Sequence, residues 1–140
     1  MRVLLDTNVL VSGLAFHGAE RDLLSMIRAD DHSLILNDYL ITELTVIMRR
    51  KFPDKRGLAE AILGLFRIEK VDNPAPADVR DASRHIRDAK DAVILATVIS
   101  CQPDLFVTGD LDFFAPEVAA LAKPRRTREA VRVLRRGRSG

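Results

Sequence analysis

At 140 residues and 47% hydrophobic, the chain is the size of one domain and can bury a core without disulfides or structural metal. The single cysteine, Cys101, excludes an internal disulfide and a cysteine-based zinc site, the composition excludes bulk disorder, and no apolar stretch reaches bilayer length. The formal charge of +2 conceals an asymmetry: Lys123–Gly140 hold eight Lys or Arg against one acid, Glu129, so that segment carries +7 and residues 1–122 carry −5.

Val3-Leu4-Leu5 is a short apolar run that stops at Asp6-Thr7-Asn8, the pattern of a buried parallel strand leading into a loop or helix. Asp6 comes too early for a secretory h-region, which with the lone cysteine fits a soluble protein of a reducing cytoplasm. Leu23, Leu24, Met26 and Ile27 predict a helix from about Ala19 to Ala29, and Ser33–Leu36 reads as a second strand. Asn37 or Asp38 caps the next helix, in which Leu40, Ile41, Leu44, Ile47 and Met48 recur at helical spacing. Arg49-Arg50-Lys51 suit its negative end, and Pro53 stops it.

Leu58–Phe66 reads as a helix, Arg67–Val71 alternates like a strand, and Asn73-Pro74-Ala75-Pro76 is a turn or linker. A short helix is expected over Asp78–His85. Asp88 to about Ser100 is apolar nearly all round, which predicts a buried helix. Leu105–Val107 is a strand closed by Thr108-Gly109-Asp110, and Val118–Ala122 reads as one more short strand. Thr127–Arg136 has the pattern of a basic, amphipathic terminal helix with Ala130, Val131 and Leu134 facing in.

Alternating strands and helices predict an α/β fold: a single domain over 1–122 with a central, mostly parallel, twisted sheet of about four to five strands flanked by helices. A basic segment over 123–140 follows, as a terminal helix with a flexible tail. In such sheets ligands bind beyond the carboxyl ends of the strands.

Four acids stand out against that frame. Asp6 and Asp110 follow two apolar strands, so both emerge at one sheet edge if the strands are central. Glu43 lies ~100° from the centre of its helix's apolar stripe, at the margin where a side chain can reach a cleft. Asp91 opens the most apolar helix, where a charge needs a partner or a metal ion. Each has an ordinary alternative: Asp88 and Asp91 as cap and first-turn acid, Glu43 as a solvated helix residue, Asp110 and Asp112 as turn acids. Clustered carboxylates repel one another and take up protons unless a cation neutralises them. Mg²⁺ or Mn²⁺ prefers such oxygen ligands, and paired ions can promote displacement at phosphorus. His17, His32 and His85, expected in a loop, a turn and a short helix, lack the spacing of a zinc pair.

The chain is similar to PIN-domain ribonucleases, specifically VapC-like toxins of bacterial toxin–antitoxin systems. Val3-Leu4-Leu5-Asp6-Thr7-Asn8-Val9-Leu10-Val11-Ser12 resembles the family's first motif, Thr42-Glu43-Leu44 its second, Arg87-Asp88-Ala89-Lys90-Asp91-Ala92-Val93-Ile94-Leu95-Ala96 its third and Val107-Thr108-Gly109-Asp110-Leu111-Asp112-Phe113 its fourth. The resemblance runs in order from residue 3 to about 115. It implies that Asp6, Glu43, Asp91 and Asp110 form a catalytic, metal-binding pocket, with Glu43 as ligand or as orienter of the attacking water. Asn8, Thr108 and Asp112 would support it, and Asp88 would be no ligand. It also implies single-stranded RNA as substrate, Mg²⁺ or Mn²⁺ as cofactor, a cognate antitoxin partner and a homodimer. The basic segment departs from the family pattern. It has three open roles: an RNA-gripping arm, a solvated tail or a surface for an acidic antitoxin.

Two other functions compete. A catalytically silent PIN fold that binds RNA or protein would have lost a pocket acid, and all four are present. An aspartate-based phosphatase using Asp6 as nucleophile wants a second acid two residues on, where Asn8 stands, and a lysine near the later acids, for which Lys90 is the candidate.

Overall fold

The computed structural model describes residues 1–55 and 57–139; Gly140, the end of the expected tail, lies outside the described residues. Five strands, β1 (Arg2–Leu5), β2 (Ser33–Leu36), β3 (Arg67–Lys70), β4 (Leu105–Val107) and β5 (Pro124–Arg125), form one sheet in the order β3-β2-β1-β4-β5. Every neighbouring pair is parallel. The inner strands are buried throughout Val3–Leu5, Leu34–Leu36 and Leu105–Val107, so both faces of the sheet need cover.

Helices supply it. α1 (Thr7–Ala15) packs on α2 (Ala19–Ala29) and on α3 (Asp38–Lys51), while α5 (Pro76–Ala82) and α7 (Pro116–Ala122) pack on α6 (Ala89–Cys101). α4 (Leu58–Leu63) leads into β3, and α8 (Thr127–Ser139) lies along α2 with Ala130, Val131 and Leu134 buried. The predicted α/β architecture is therefore present, with five strands.

β1 has β2 on one side and β4 on the other. The chain first winds outward from β1 to β3, then crosses back to β4 and continues to β5. That reversal makes the gap beyond the ends of β1 and β4 the switch point of the sheet, where α/β proteins hold their ligands.

Several elements differ from expectation. Thr7–Ala15, left open as loop or helix, is helical and buried at seven of its nine positions, with only Asn8 and Ser12 reaching solvent. Val118–Ala122 is helical, not a strand: Pro116 occupies the first turn, where its fixed φ favours a helix, and the alanines propagate it. The last strand is instead Pro124–Arg125. The helix placed over Asp78–His85 starts at Pro76, again a first-turn proline, and ends at Ala82; His85 sits in the following turn. α4 stops at Leu63, ahead of Gly64.

Candidate active site

Parallel register brings the first two acids together. Leu5 stands opposite Val107, and the Asp6 N–H donates to the Val107 carbonyl at 2.9 Å. Thr108, wholly buried, then acts in both directions: its Oγ1 donates to Asp6 Oδ2 at 2.8 Å and accepts from the Asp110 N–H at 3.1 Å. Asp110 caps the short turn Leu111–Phe114 by accepting from the Asp112 N–H at 2.9 Å. Phe113 anchors that turn edge-on against Phe106, with ring centroids 5.2 Å apart. The loop after β4 is thus held from below by packing and from the side by hydrogen bonds.

The other two acids come from α3 and α6. Asn37, fully buried, caps α3 through the Leu40 N–H (2.9 Å) and donates to Thr97 Oγ1 of α6 (3.2 Å), fixing one helix against the other. Asp88 caps α6, accepting from the N–H groups of Lys90 and Asp91 at 2.8 and 3.2 Å, which presents Asp91 from the first turn. Glu43 is gripped at both oxygens: Thr7 Oγ1 donates to Oε1 at 2.8 Å and Tyr39 OH to Oε2 at 3.0 Å.

Asp6, Glu43, Asp91 and Asp110 all line one cleft of about 200 Å³, together with Asn8, Asp88 and Lys90. Oxygens of Asp91, Asp110 and Asp112 lie within 4.8 Å of one another. Asp112, expected only as support, therefore stands with two of the expected ligands, whereas Asp6 and Glu43 are engaged by hydroxyls. Asn8 reaches the cleft from the first turn of α1 and is solvent-exposed. His17, His32 and His85 are not among the lining residues.

Charge accumulates here against the cost of burial. Asp6 is 7% exposed, and its carboxyl is raised above the ordinary range by burial first, then by the charges of Asp110 and Glu43. The Thr108 hydroxyl and the Thr7 backbone act in the opposite sense. Asp91 is pushed up to about 7 by burial, by the hydrogen bond and charge of Asp110, and by the charges of Asp88 and Asp6. Lys90 is the one cationic side chain lining the cleft among the described residues. Crowded carboxylate oxygens with no Cys or His among them suit a hard divalent ion of the Mg²⁺ or Mn²⁺ type. The donor set fits that cofactor.

From sequence, Tyr39 was not singled out for this site, Thr7 entered only as part of the first motif, and Lys90 only within the third motif and as the lysine of the phosphatase alternative. Tyr39 had a signal, since it precedes Glu43 by four residues on one helix and so shares its face. The contact of Thr7 with Glu43 had none, because it is made across 36 residues.

The family model of the PIN domain matches residues 2–112. Among curated proteins none matches the sequence. Among solved structures, the chain is similar to one in VapBC2 from Rickettsia felis bound to a DNA fragment from their promoter. The two share 16% identity and a TM-score of 0.64, over 90% of this chain and 98% of that one.

Proposed function

The chain belongs to the PIN domain family, and from that premise we propose that it is an endoribonuclease that hydrolyses single-stranded RNA with Mg²⁺ or Mn²⁺. Asp6, Glu43, Asp91 and Asp110 form its catalytic centre in this reading. The observation that carries it is the convergence, on one small cleft, of four carboxylates delivered by four separate elements. A fold needs no such cluster, and burial makes it costly without a cation.

Asp91, Asp110 and Asp112 would hold the ion, with Asp6 beside them. A bound divalent ion supplies Lewis acidity toward the attacking water and the departing oxygen of a phosphodiester. The chain's own residues do the rest. Thr108 keeps Asp6 aimed into the cleft and favours its charged form by donating to Oδ2. Thr7 and Tyr39 hold Glu43 as an acceptor able to orient water. Lys90 brings a positive charge to the phosphate beside the acids. Asp88 positions Asp91 through the cap.

The fold shared with the VapBC2 chain supports placing the protein as the toxin of a toxin–antitoxin pair with a cognate antitoxin as partner; the homodimer rests on the family resemblance alone. No helix among the described residues is long and apolar enough to cross a membrane.

Asp6→Asn is the direct test, read with a fluorophore–quencher single-stranded RNA. Cleavage should fall by roughly a hundred-fold or more, while circular dichroism stays unchanged. Millimolar Mg²⁺ should raise the melting temperature of the wild type and do so much less in the variant. Full activity in Asp6→Asn would remove Asp6 from the mechanism, and a wild type indifferent to Mg²⁺ would favour the silent binding module.

A further inference from the structure

The basic segment has a defined place in the fold, and it begins at the rim of the acidic cleft. The Thr108 N–H donates to the Arg125 carbonyl at 3.0 Å while its hydroxyl holds Asp6, so one residue joins the cleft to β5. A second link runs through the turn after Asp110, where the Arg126 guanidinium lies 5.1 Å from the centre of the Phe114 ring. From there α8 turns Ala130, Val131 and Leu134 inward and leaves Arg128, Arg132 and Arg135 exposed on the other side. These three arginines, at helical spacing, line a groove of about 390 Å³ against Gly18, Ala19 and Asp22 at the start of α2.

Two of those charges have no counterpart among the described residues. Arg125 pairs with Glu129, but Arg128 and Arg132 make no ion pair or hydrogen bond among the described residues. Among the described residues, Asp22 is the one carboxylate lining the groove, beside the guanidinium groups of Arg128, Arg132 and Arg135. A solvated tail would have no reason to be packed by three buried apolar residues, nor to gather its cations along one groove.

We propose that the α2–α8 groove is a phosphate-binding track for single-stranded RNA, gripping the strand outside the segment held in the acidic cleft, with Arg128 and Arg132 as its principal contacts. The choice of RNA rests on the nuclease reading; the groove's preference for a polyanion rests on its own charge. The division of labour is physical. A cleft of crowded carboxylates repels a phosphodiester until a cation fills it, so initial affinity must come from elsewhere. Arginines on an adjoining face provide it without base preference, since phosphate contacts carry most non-specific affinity.

Binding and cleavage are read separately. Fluorescence anisotropy of a labelled twenty-nucleotide single-stranded RNA, with full-length Asp6→Asn protein in EDTA, measures the track alone. Adding Arg128→Gln and Arg132→Gln should weaken binding about ten-fold at low salt and reduce the slope of log K against log salt by about 1.4. The pair Arg128→Lys and Arg132→Lys should keep most of the slope, and Arg80→Gln on α5 with Arg84→Gln in the turn after it should change neither quantity. Unchanged melting temperatures show that the fold survives. Unaltered RNA affinity in the Arg128→Gln, Arg132→Gln protein overturns the proposal. So does loss of binding to a twenty-residue glutamate-rich peptide with RNA binding intact, which would assign the face to a protein partner. A wild type that binds RNA through these arginines yet never cleaves it refutes the nuclease reading and leaves the track standing.

Discussion

The two edges of the sheet treat charge in opposite ways. At the amino-terminal edge, Arg2 opens β1 and its guanidinium is fully engaged: Nε and Nη2 donate to the two oxygens of Glu69 at 2.8 and 2.7 Å, and Nη1 donates to the carbonyls of Cys101 and Gln102. The Arg2 N–H also donates to Asp104 at 2.7 Å. Glu69 is accordingly held below the usual carboxylate range, with the Arg2 hydrogen bond as the main cause. At the carboxyl-terminal edge, Asp6 and Asp91 are shifted upward, and the acids face chiefly one another. Charge that the fold needs is neutralised within the fold. Charge that it leaves crowded and uncompensated is there for something that arrives from outside.

The contrast predicts that substitutions at the two edges have crossed effects. Asp110→Asn should reduce cleavage by roughly a hundred-fold or more. Its melting temperature should not fall, because asparagine can still cap the following turn and one repelling charge is gone. Arg2→Met should do the converse. Losing a bidentate ion pair that is about one-third exposed should cost about 1–2 kcal/mol, or roughly 3–6 °C, with cleavage per folded molecule retained. Differential scanning calorimetry and the RNA cleavage assay on both proteins check this, and a loss of stability in Asp110→Asn would blur the distinction between the edges.

Acidity should sharpen the same contrast. With Asp91 raised to about 7 and Asp6 raised as well, the folded, metal-free protein binds protons more tightly than the unfolded chain. Their contribution is fully present below the ordinary carboxylate range and is lost as pH rises through about 7. In EDTA the melting temperature should therefore decline between pH 5 and pH 8, by a few degrees. Saturating Mg²⁺ should flatten or reverse that trend, since metal binding favours the ionised carboxylates. A metal-free protein that instead gains stability over this interval would mean that the acids are not crowded in solution.

Much of the site was legible because each acid was marked by its immediate neighbours. Asp6 and Asp110 followed apolar strands, and Asp91 preceded an apolar helix, so local pattern alone gave them position. The convergence of all four depended on strand order, which no local pattern encodes; β1 lies between β2 and β4, and β4 is a hundred residues away. Helix α1 was left open as loop or helix because burial on nearly every side erases the periodicity by which helices are read. α7 was misread because Val118–Ala122 is a short apolar run, and only Pro116 marked it as a helix start. The resemblance alone gave Asp112 a supporting role; its place beside Asp91 comes from a tight turn anchored by Phe113, and turn geometry is weakly written in sequence.

The smallest expected effect tests the hydroxyls that sequence overlooked. Tyr39 is raised well above the ordinary phenol range, by burial and by the charge and hydrogen bond of Glu43, so it keeps its proton at any working pH and remains a donor to Oε2. Tyr39→Phe removes that single donor while the ring and the Thr7 contact to Oε1 stay in place. Glu43 would lose one restraint without losing its charge, and cleavage should drop only about three-fold, the kinetic equivalent of one modest hydrogen bond. A positioning role further requires the drop to fall on kcat, since Tyr39 lies behind Glu43 and is absent from the cleft lining. If the change appeared wholly in KM, Tyr39 would be meeting the RNA directly, and Glu43 would owe its orientation to Thr7 alone.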